Sequence, residues 1–172
     1  MKKLLLFVSF AIFGFSNISA QDSSQTQDSS QTTNSGEGFN LGLHLGLNFD
    51  STIYGLDVTY LFNVSDGFDV GIATGYINFF SKNISGLKLP DLGIIPIATS
   101  TRFALGQEWF LGIDLGYGIF TTKGFGGNGG FYYYPNIGLK LGAVDFFGYY
   151  QGTTSRSINY ASVGVGASFN IK

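Results

Sequence analysis

His44 is the only histidine of the 172-residue chain, and its side chain is the first candidate for chemistry. An imidazole that acts as a general base needs a nucleophile within hydrogen-bond reach and an open site for substrate. No pair of carboxylates and no cluster with the spacing of metal ligands accompanies His44 in the sequence. We therefore expect a polar interior residue, and we predict a protein that is not an enzyme and uses no cofactor.

The glycine-rich run at 124–130 (GFGGNGG) is the second candidate, because glycine loops can cradle phosphate groups. A phosphate-binding loop stands between a strand and a helix, and no helical periodicity follows this run. The sequence therefore predicts a flexible surface loop here.

Other polar residues recur at alternate positions, between large apolar ones, and we predict that they form a polar network inside the fold. The predicted network comprises His44, Asp57, Asp69, Arg102, Asp114, Asn136, Lys140 and Gln151. Buried charges need partners. Asp69, Arg102, Glu108 and Lys140 are therefore expected to form an ion-paired plug, provided that Arg102 faces inward.

The elements that must hold these residues are β-strands. Residues 39–49 (FNLGLHLGLNF) place a large apolar residue at every odd position and a small or polar one at every even position. A period of two is that of a strand, whose side chains alternate between two faces. The alternation continues to residue 171 and predicts eight strands, of which the fourth is irregular around Pro96.

Two environments could take up the apolar faces of these strands: lipid, or a partner sheet in a secreted sandwich or lipocalin-like barrel. Strands of about 10 to 13 residues suit a tilted crossing of a bilayer. The opposite face carries glycine and charged residues, which would make a poor core. Aromatic residues gather near the strand ends, as at membrane interfaces. These features favour an eight-stranded antiparallel up-and-down transmembrane β-barrel at residues 39–172.

The first 38 residues precede the barrel and are expected to have other roles. Residues 1–20 begin with two lysines, continue with an apolar run at 4–15 and end in Ala20, which is typical of a secretory signal peptide. Residues 21–38 contain QDSSQT twice and no large apolar residue, so we predict a disordered linker. Export through a cleaved signal peptide is expected.

The region from residue 38 to 172 resembles the small eight-stranded outer-membrane β-barrels of the OmpA/OmpX type, through its architecture rather than a sharp motif. The resemblance implies a cell outer-membrane location and partners consisting of outer-membrane lipid and the barrel assembly machinery. Such barrels often end on an aromatic residue, whereas this chain places Phe169 and Ile171 before a terminal lysine. We expect a monomer that binds no nucleic acid.

The positions of the turns predict which residues of neighbouring strands oppose each other, and these pairings place the members of the polar network. If Phe49 opposes Tyr54, His44 opposes Thr59 and lies diagonal to Asp57. If Leu141 opposes Phe146, Asn136 opposes Gln151. If Ile119 opposes Phe131, Asp114 joins the same polar row.

The connections also separate charges. The long loops carry Lys82, Lys88, Lys123 and Arg156, and the short turns carry Asp66, Glu108 and Asp145. Basic loops could meet the phosphates of lipopolysaccharide, although solvated loop charges are the favoured interpretation. We predict a non-enzymatic outer-membrane protein with a role in envelope structure or surface binding. The alternative is a narrow channel for ions or small hydrophobic molecules.

Overall fold

The computed structural model describes residues 37–48, 51–81, 91–122, 127–155 and 159–171. The predicted signal peptide, most of the predicted linker and the basic loop residues Lys82, Lys88, Lys123 and Arg156 lie outside the described residues. The described part of the chain contains no helix long and apolar enough to cross a membrane.

Eight antiparallel strands form a closed barrel, in which each strand pairs with its sequence neighbours and β1 pairs with β8. They are 11 to 15 residues long and comprise β1 (Gly38–Asn48), β2 (Ser51–Ser65), β3 (Phe68–Ser81), β4 (Leu92–Leu105), β5 (Trp109–Phe120), β6 (Gly129–Leu141), β7 (Val144–Thr154) and β8 (Asn159–Ile171). The predicted fold class is therefore confirmed.

The two ends of the barrel differ in their connections. The turns β2–β3, β4–β5 and β6–β7 are short, and each contains a glycine with positive φ: Gly67 (74°), Gly106 (79°) and Gly142 (70°). These turns, the start of β1 and the end of β8 define the short-turn end. The opposite end is the long-loop end.

The outward face is an apolar band. Leu41, Leu43, Leu45 and Leu47 of β1 are all at least 40% exposed, and Val165 of β8 reaches 67%. The even positions of β1 that separate these leucines point inward and are buried, with Asn48 at the strand end half-buried. The division between apolar and polar faces predicted for residues 39–49 is thus a division between outside and lumen.

The inward face changes character along the barrel axis. Its long-loop half holds a packed apolar cluster that includes Ile53, Ile77, Phe79, Leu92, Ile94 and Phe120. An eight-stranded barrel is just wide enough for side chains to fill its interior. The expectation of a lumen filled by glycine and polar groups is therefore wrong for this half, because apolar side chains occupy it.

The predicted registers are also wrong. Asn48 pairs with Ser51, so His44 opposes Gly55 and Thr59 opposes Asn40. The β1–β2 connection is tighter than predicted, since Ser51 and Thr52 already belong to β2.

The other two predicted registers shift in the same sense. Asn136 opposes Gly112 and Tyr149, and not Gln151. Asp114 opposes Tyr134, since Ile119 pairs with Gly129 and not with Phe131. In both hairpins the strands continue further toward the connection than the sequence alone indicated.

The irregular β4 has a defined orientation. Pro96 is buried opposite Gly118, and the β3–β4 ladder is interrupted between the Thr74–Ile97 and Ile77–Ile94 pairs. Proline cannot donate a ladder hydrogen bond, and the Thr74 hydroxyl donates to the Pro96 carbonyl oxygen at 2.8 Å.

Candidate functional site

His44 and Asp57 form a pair in the lumen, in which the histidine is buried and the aspartate is half-buried. The His44 Nδ1 and Asp57 Oδ2 atoms are 2.6 Å apart. Asp57 opposes Gly42, two residues from the partner of His44 along β2, which makes the contact diagonal. Gly55 lies under the imidazole, and a methyl group there would overlap the ring. The backbone of β2 therefore forms one wall of the histidine site.

Two tyrosines form another side of this site. The His44 ring centroid is 5.0 Å from that of Tyr149, in an edge-to-face arrangement, and 5.8 Å from that of Tyr134. The Nε2 atom has no hydrogen-bond partner within the described residues. The 2.6 Å contact with Asp57 and the two neighbouring rings together hold the imidazole in one orientation.

A polar cavity of about 40 Å³ lies beside this pair. Asp114 and Ser100 face each other across β4 and β5, and the serine hydroxyl donates to the carboxylate. Asp57, Arg102 and Asn136 line the same cavity as Asp114 and Ser100. The structure thus brings four residues of the predicted network, Asp57, Arg102, Asp114 and Asn136, to one small space.

A second cluster of charges fills the short-turn end. The Arg102 Nη1 donates to Asp145 Oδ2 at 2.7 Å, and the guanidinium carbon lies 4.3 Å from the centre of the Phe110 ring. Asp69 opposes Arg102 on β3 and accepts a 2.9 Å hydrogen bond from Asn63. Arg102 therefore faces inward, on a strand whose orientation the sequence had left open.

Lys140 and Glu108 differ in their relation to this cluster. Lys140 opposes Asp145 in the β6–β7 register. Glu108 is an exposed turn residue, and it is its backbone carbonyl oxygen that accepts a hydrogen bond from the Lys140 amide at 2.7 Å. Placing the Glu108 side chain in the plug is therefore wrong. Asp145, which the sequence assigned to a short turn, belongs to β7, where it is 6% exposed and paired with Arg102.

Gln151 lies apart from both groups. It opposes Ser162 on β8 and is 1% exposed. Neither amide atom of Gln151 has a hydrogen-bond partner within the described residues. The predicted network thus comprises a central group around His44, a charged cluster at the short-turn end, and this separate glutamine. Arg102 connects the first two, because it pairs with Asp145 and also lines the cavity beside Asp57 and Asp114.

Several lumen residues are missing from the predicted network. Tyr149, Ser100, Ser168 and Asp145 all take inward positions. The period-two pattern assigns a side chain to a face, but depth along the axis depends on register. Within the described residues there is no group of three or more His, Cys, Asp or Glu side chains able to hold a metal ion.

Aromatic pairs occur near both ends of the outer surface. Phe39, Tyr60 and Phe62 contact one another near the short-turn end, with ring centroids 4.6 Å apart in each successive pair. Tyr54 stacks on Phe80 near the long-loop end at 4.8 Å. These positions match the two aromatic girdles of a membrane barrel.

Comparison with known proteins gives a match at the level of fold. No protein-family model and no curated protein matches this chain. The outer-membrane protein Ail of Yersinia pestis in a phospholipid nanodisc superposes with a TM-score of 0.57 at 15% identity, covering 78% of this chain and 100% of that chain. The crystal structure of Ail gives 0.52 at 14% identity, with 77% and 98% covered.

A de novo designed barrel, TMB2.3, gives a TM-score of 0.53 at 13% identity, covering 79% of this chain and 95% of that chain. A designed protein has no ancestor in common with this chain, so the likeness is one of fold alone. The chain therefore has the fold of the small eight-stranded outer-membrane β-barrels.

Proposed function

We propose that the chain is a non-enzymatic integral outer-membrane protein that contributes to envelope structure or presents its long-loop end for surface binding. The observation that carries this proposal is the combination of an apolar outer band with a filled lumen. Leu45 and Val165 expose more than half of their surface, while Phe110 and Ile53 are fully buried inside. Such a protein is stable in lipid and offers no wide path through its centre.

Heat-modifiable gel mobility of membrane-extracted protein tests this proposal. A folded barrel in mild detergent keeps its compact shape unless it is heated, so unheated and boiled samples are expected to migrate differently. Identical migration, together with solubility of the chain at moderate concentration without detergent, would contradict an integral membrane barrel.

A narrow channel is the alternative, and the filled long-loop half argues against it. Phe79, Leu92 and Ile94 are each at most 4% exposed and pack into one apolar cluster. We expect no stepwise conductance in planar bilayers for the wild-type protein. Regular single-channel steps that scale with protein concentration would support the channel instead.

Export through a cleaved signal peptide belongs to the same proposal and rests on the sequence of residues 1–20. Amino-terminal sequencing of the protein from outer-membrane fractions is expected to begin at Gln21. A mature protein that keeps Met1 would show that these residues act as an anchor.

The basic loop residues allow a separate test of lipopolysaccharide binding against the favoured interpretation, in which these charges are only solvated. The residues concerned are Lys82, Lys88, Lys123 and Arg156. Replacing all four by glutamine is expected to weaken any phosphate-dependent binding to lipopolysaccharide while leaving heat modifiability unchanged. Unchanged binding in that variant would indicate that these charges are solvated and do not contact lipopolysaccharide.

A further inference from the structure

A groove of about 900 Å³ crosses the outer face of the barrel, and its lining is almost entirely apolar. Two rows of outward side chains form its edges. The first row runs from Trp109 on β5 through Ala167 on β8 to Tyr76 on β3, and each step along it joins two residues that are paired in neighbouring strands. We call this depression the outer groove.

The outer groove has the most room where it crosses β7 and β8. Its second edge runs from Ile137 on β6 through Gly148 on β7 to Tyr54 on β2, again through paired residues. Gly148 in this row and Ala167 in the first row are the smallest residues of the two edges. A methyl group at Gly148 would meet nothing closer than 3.9 Å, so the space beside β7 is open.

The length and direction of the groove relate it to the bilayer. Six interstrand steps of about 4.8 Å separate Trp109 from Tyr76, which gives a path of roughly 29 Å. Because barrel strands are tilted, a row that crosses them at right angles climbs from the short-turn end toward the long-loop end. The chains of one leaflet fill about half of a hydrocarbon core that is ~30 Å thick. One acyl chain therefore fits within the length of the groove.

The curvature of the groove decides between a lipid chain and a second copy of the barrel. Its first edge crosses seven of the eight strands, so the groove follows the wall around most of the circumference. A second barrel is rigid and convex and would meet only a few adjacent strands. A hydrocarbon chain bends at each of its single bonds and can follow the groove, where two edges and a floor give it more van der Waals contacts than the convex wall does.

The short-turn end of the groove supplies a polar contact for a headgroup. Trp109 lies there, 49% exposed, and its indole N–H can only donate a hydrogen bond. Tryptophan rings favour the membrane interface, where ester and phosphate oxygens accept such bonds. At the other end of the groove, the Tyr54 hydroxyl oxygen already accepts a 3.1 Å hydrogen bond from Asn78.

We propose that the outer groove is a binding site for one acyl chain of a phospholipid, whose headgroup lies beside Trp109. Short turns of outer-membrane barrels face the periplasm, so the lipid belongs to the periplasmic leaflet. This inference rests on the integral outer-membrane barrel proposed above. It adds a lipid that is held at a defined place, in contrast to the exchanging lipids around the rest of the apolar band.

The test uses the full-length barrel in detergent micelles, to which a phosphatidylethanolamine brominated near its headgroup is added at increasing lipid-to-detergent ratio. Bromine quenches the fluorescence of Trp109, the single tryptophan. A defined site should give quenching that saturates while lipid is still a minor component of the micelle. Lipid that only mixes with the detergent should give quenching in proportion to its share.

Three substitutions assign the effect. Ala167→Leu and Gly148→Leu fill the groove on β8 and β7, away from Trp109, and each should raise the half-saturating lipid ratio at least about threefold by taking the space in which the chain packs. Ala161→Leu is the matched control, because it makes the same change on the outward face of β8 outside the groove and should leave the curve unchanged.

Heat-modifiable mobility of the same samples separates the two proposals, since its loss in the wild type would contradict the barrel and this site together. In a heat-modifiable barrel, two results would overturn the lipid site alone. One is quenching in proportion to the lipid ratio, or saturation that Ala167→Leu and Gly148→Leu both retain. The other is a wild-type dimer in sedimentation that both variants convert to a monomer, because a second copy would then occupy the groove.

Discussion

At the scale of residues, Arg102 holds the charged cluster together. Its guanidinium contacts Asp145 at 2.7 Å and packs on Phe110. Side chains of the pair are only 12% and 8% exposed. Removing the arginine leaves a buried carboxylate without its main partner, which is the costly way to break an ion pair.

Arg102→Met is therefore expected to lower the free energy of unfolding by roughly 3 kcal/mol. The measurement is urea unfolding of the detergent- or lipid-embedded barrel followed by tryptophan fluorescence. The double variant Arg102→Met/Asp145→Asn should recover part of the loss, since coupled residues are not additive. Glu108→Gln, at an exposed turn, is the matched control. A loss of equal size in that variant would contradict the assignment of the effect to the Arg102–Asp145 pair.

The His44 site depends on the absence of a side chain on β2. A methyl group at residue 55 would overlap the imidazole, which is fixed by Asp57 and by Tyr149. Gly148, on the outward face of β7, offers a comparison, because a methyl group there would meet nothing closer than 3.9 Å.

Gly55→Ala is accordingly expected to destabilise the barrel by about 1–3 kcal/mol through overpacking. Gly148→Ala should stay within about 0.5 kcal/mol of the wild type. Equilibrium unfolding of the two variants side by side measures the difference. Equal midpoints would mean that the His44 ring moves freely away from β2.

At the scale of elements, the sequence predicted the strands well and their registers poorly. Alternation alone assigned Leu41 to the outside and His44 to the lumen. The face of each side chain is strongly specified, because a shift of one residue would turn every apolar side chain to the opposite face. Register depends on the connection, and the strand β2 already begins at Ser51, before the predicted end of that turn. His44 lies diagonal to Asp57 in either register, so this contact was predicted although its register was wrong.

Contacts between side chains inside the lumen were also not predicted from the sequence. The pattern could not reveal that Asp145 reaches Arg102, because these residues are 43 positions apart and on strands that are not neighbours. Contacts across a barrel depend on depth along its axis as well as on face. The apolar half of the lumen was missed for a different reason. Ile53, Ile77 and Phe79 lie on the neighbouring strands β2 and β3, but the sequence analysis considered only glycine and polar residues for the lumen.

The short turns carry their own prediction. Gly142 has a φ of 70°, and nothing lies within 4 Å of where its Cβ would be. A substitution there therefore affects stability only through the strain of the left-handed backbone conformation. Gly142→Ala is expected to cost about 1–2 kcal/mol in unfolding free energy.

Gly142→Asn should cost less than the alanine, because asparagine tolerates the left-handed region. Comparing the two variants by urea unfolding separates backbone strain from side-chain bulk. A larger loss for asparagine than for alanine would show that the turn is sensitive to size and not to φ.

At the scale of the whole molecule, the outer surface of the barrel explains why the chain is rich in hydrophobic residues and poor in charged ones. The chain is 44% hydrophobic and 12% charged, and many of its large apolar residues lie on the outside of the barrel. A water-soluble fold would leave these residues in solvent, whereas a bilayer buries them. The aromatic contacts near each end then fall at the two interfaces.

The single tryptophan tests this central claim without any substitution. Trp109 begins β5 at the short-turn end and is 49% exposed on the outer face. In vesicles it should be quenched by brominated phospholipids, more strongly by bromines near the headgroup than by bromines near the chain ends. Fluorescence that no brominated lipid quenches, but that a water-soluble quencher such as acrylamide quenches fully, would contradict a barrel whose outer band faces lipid.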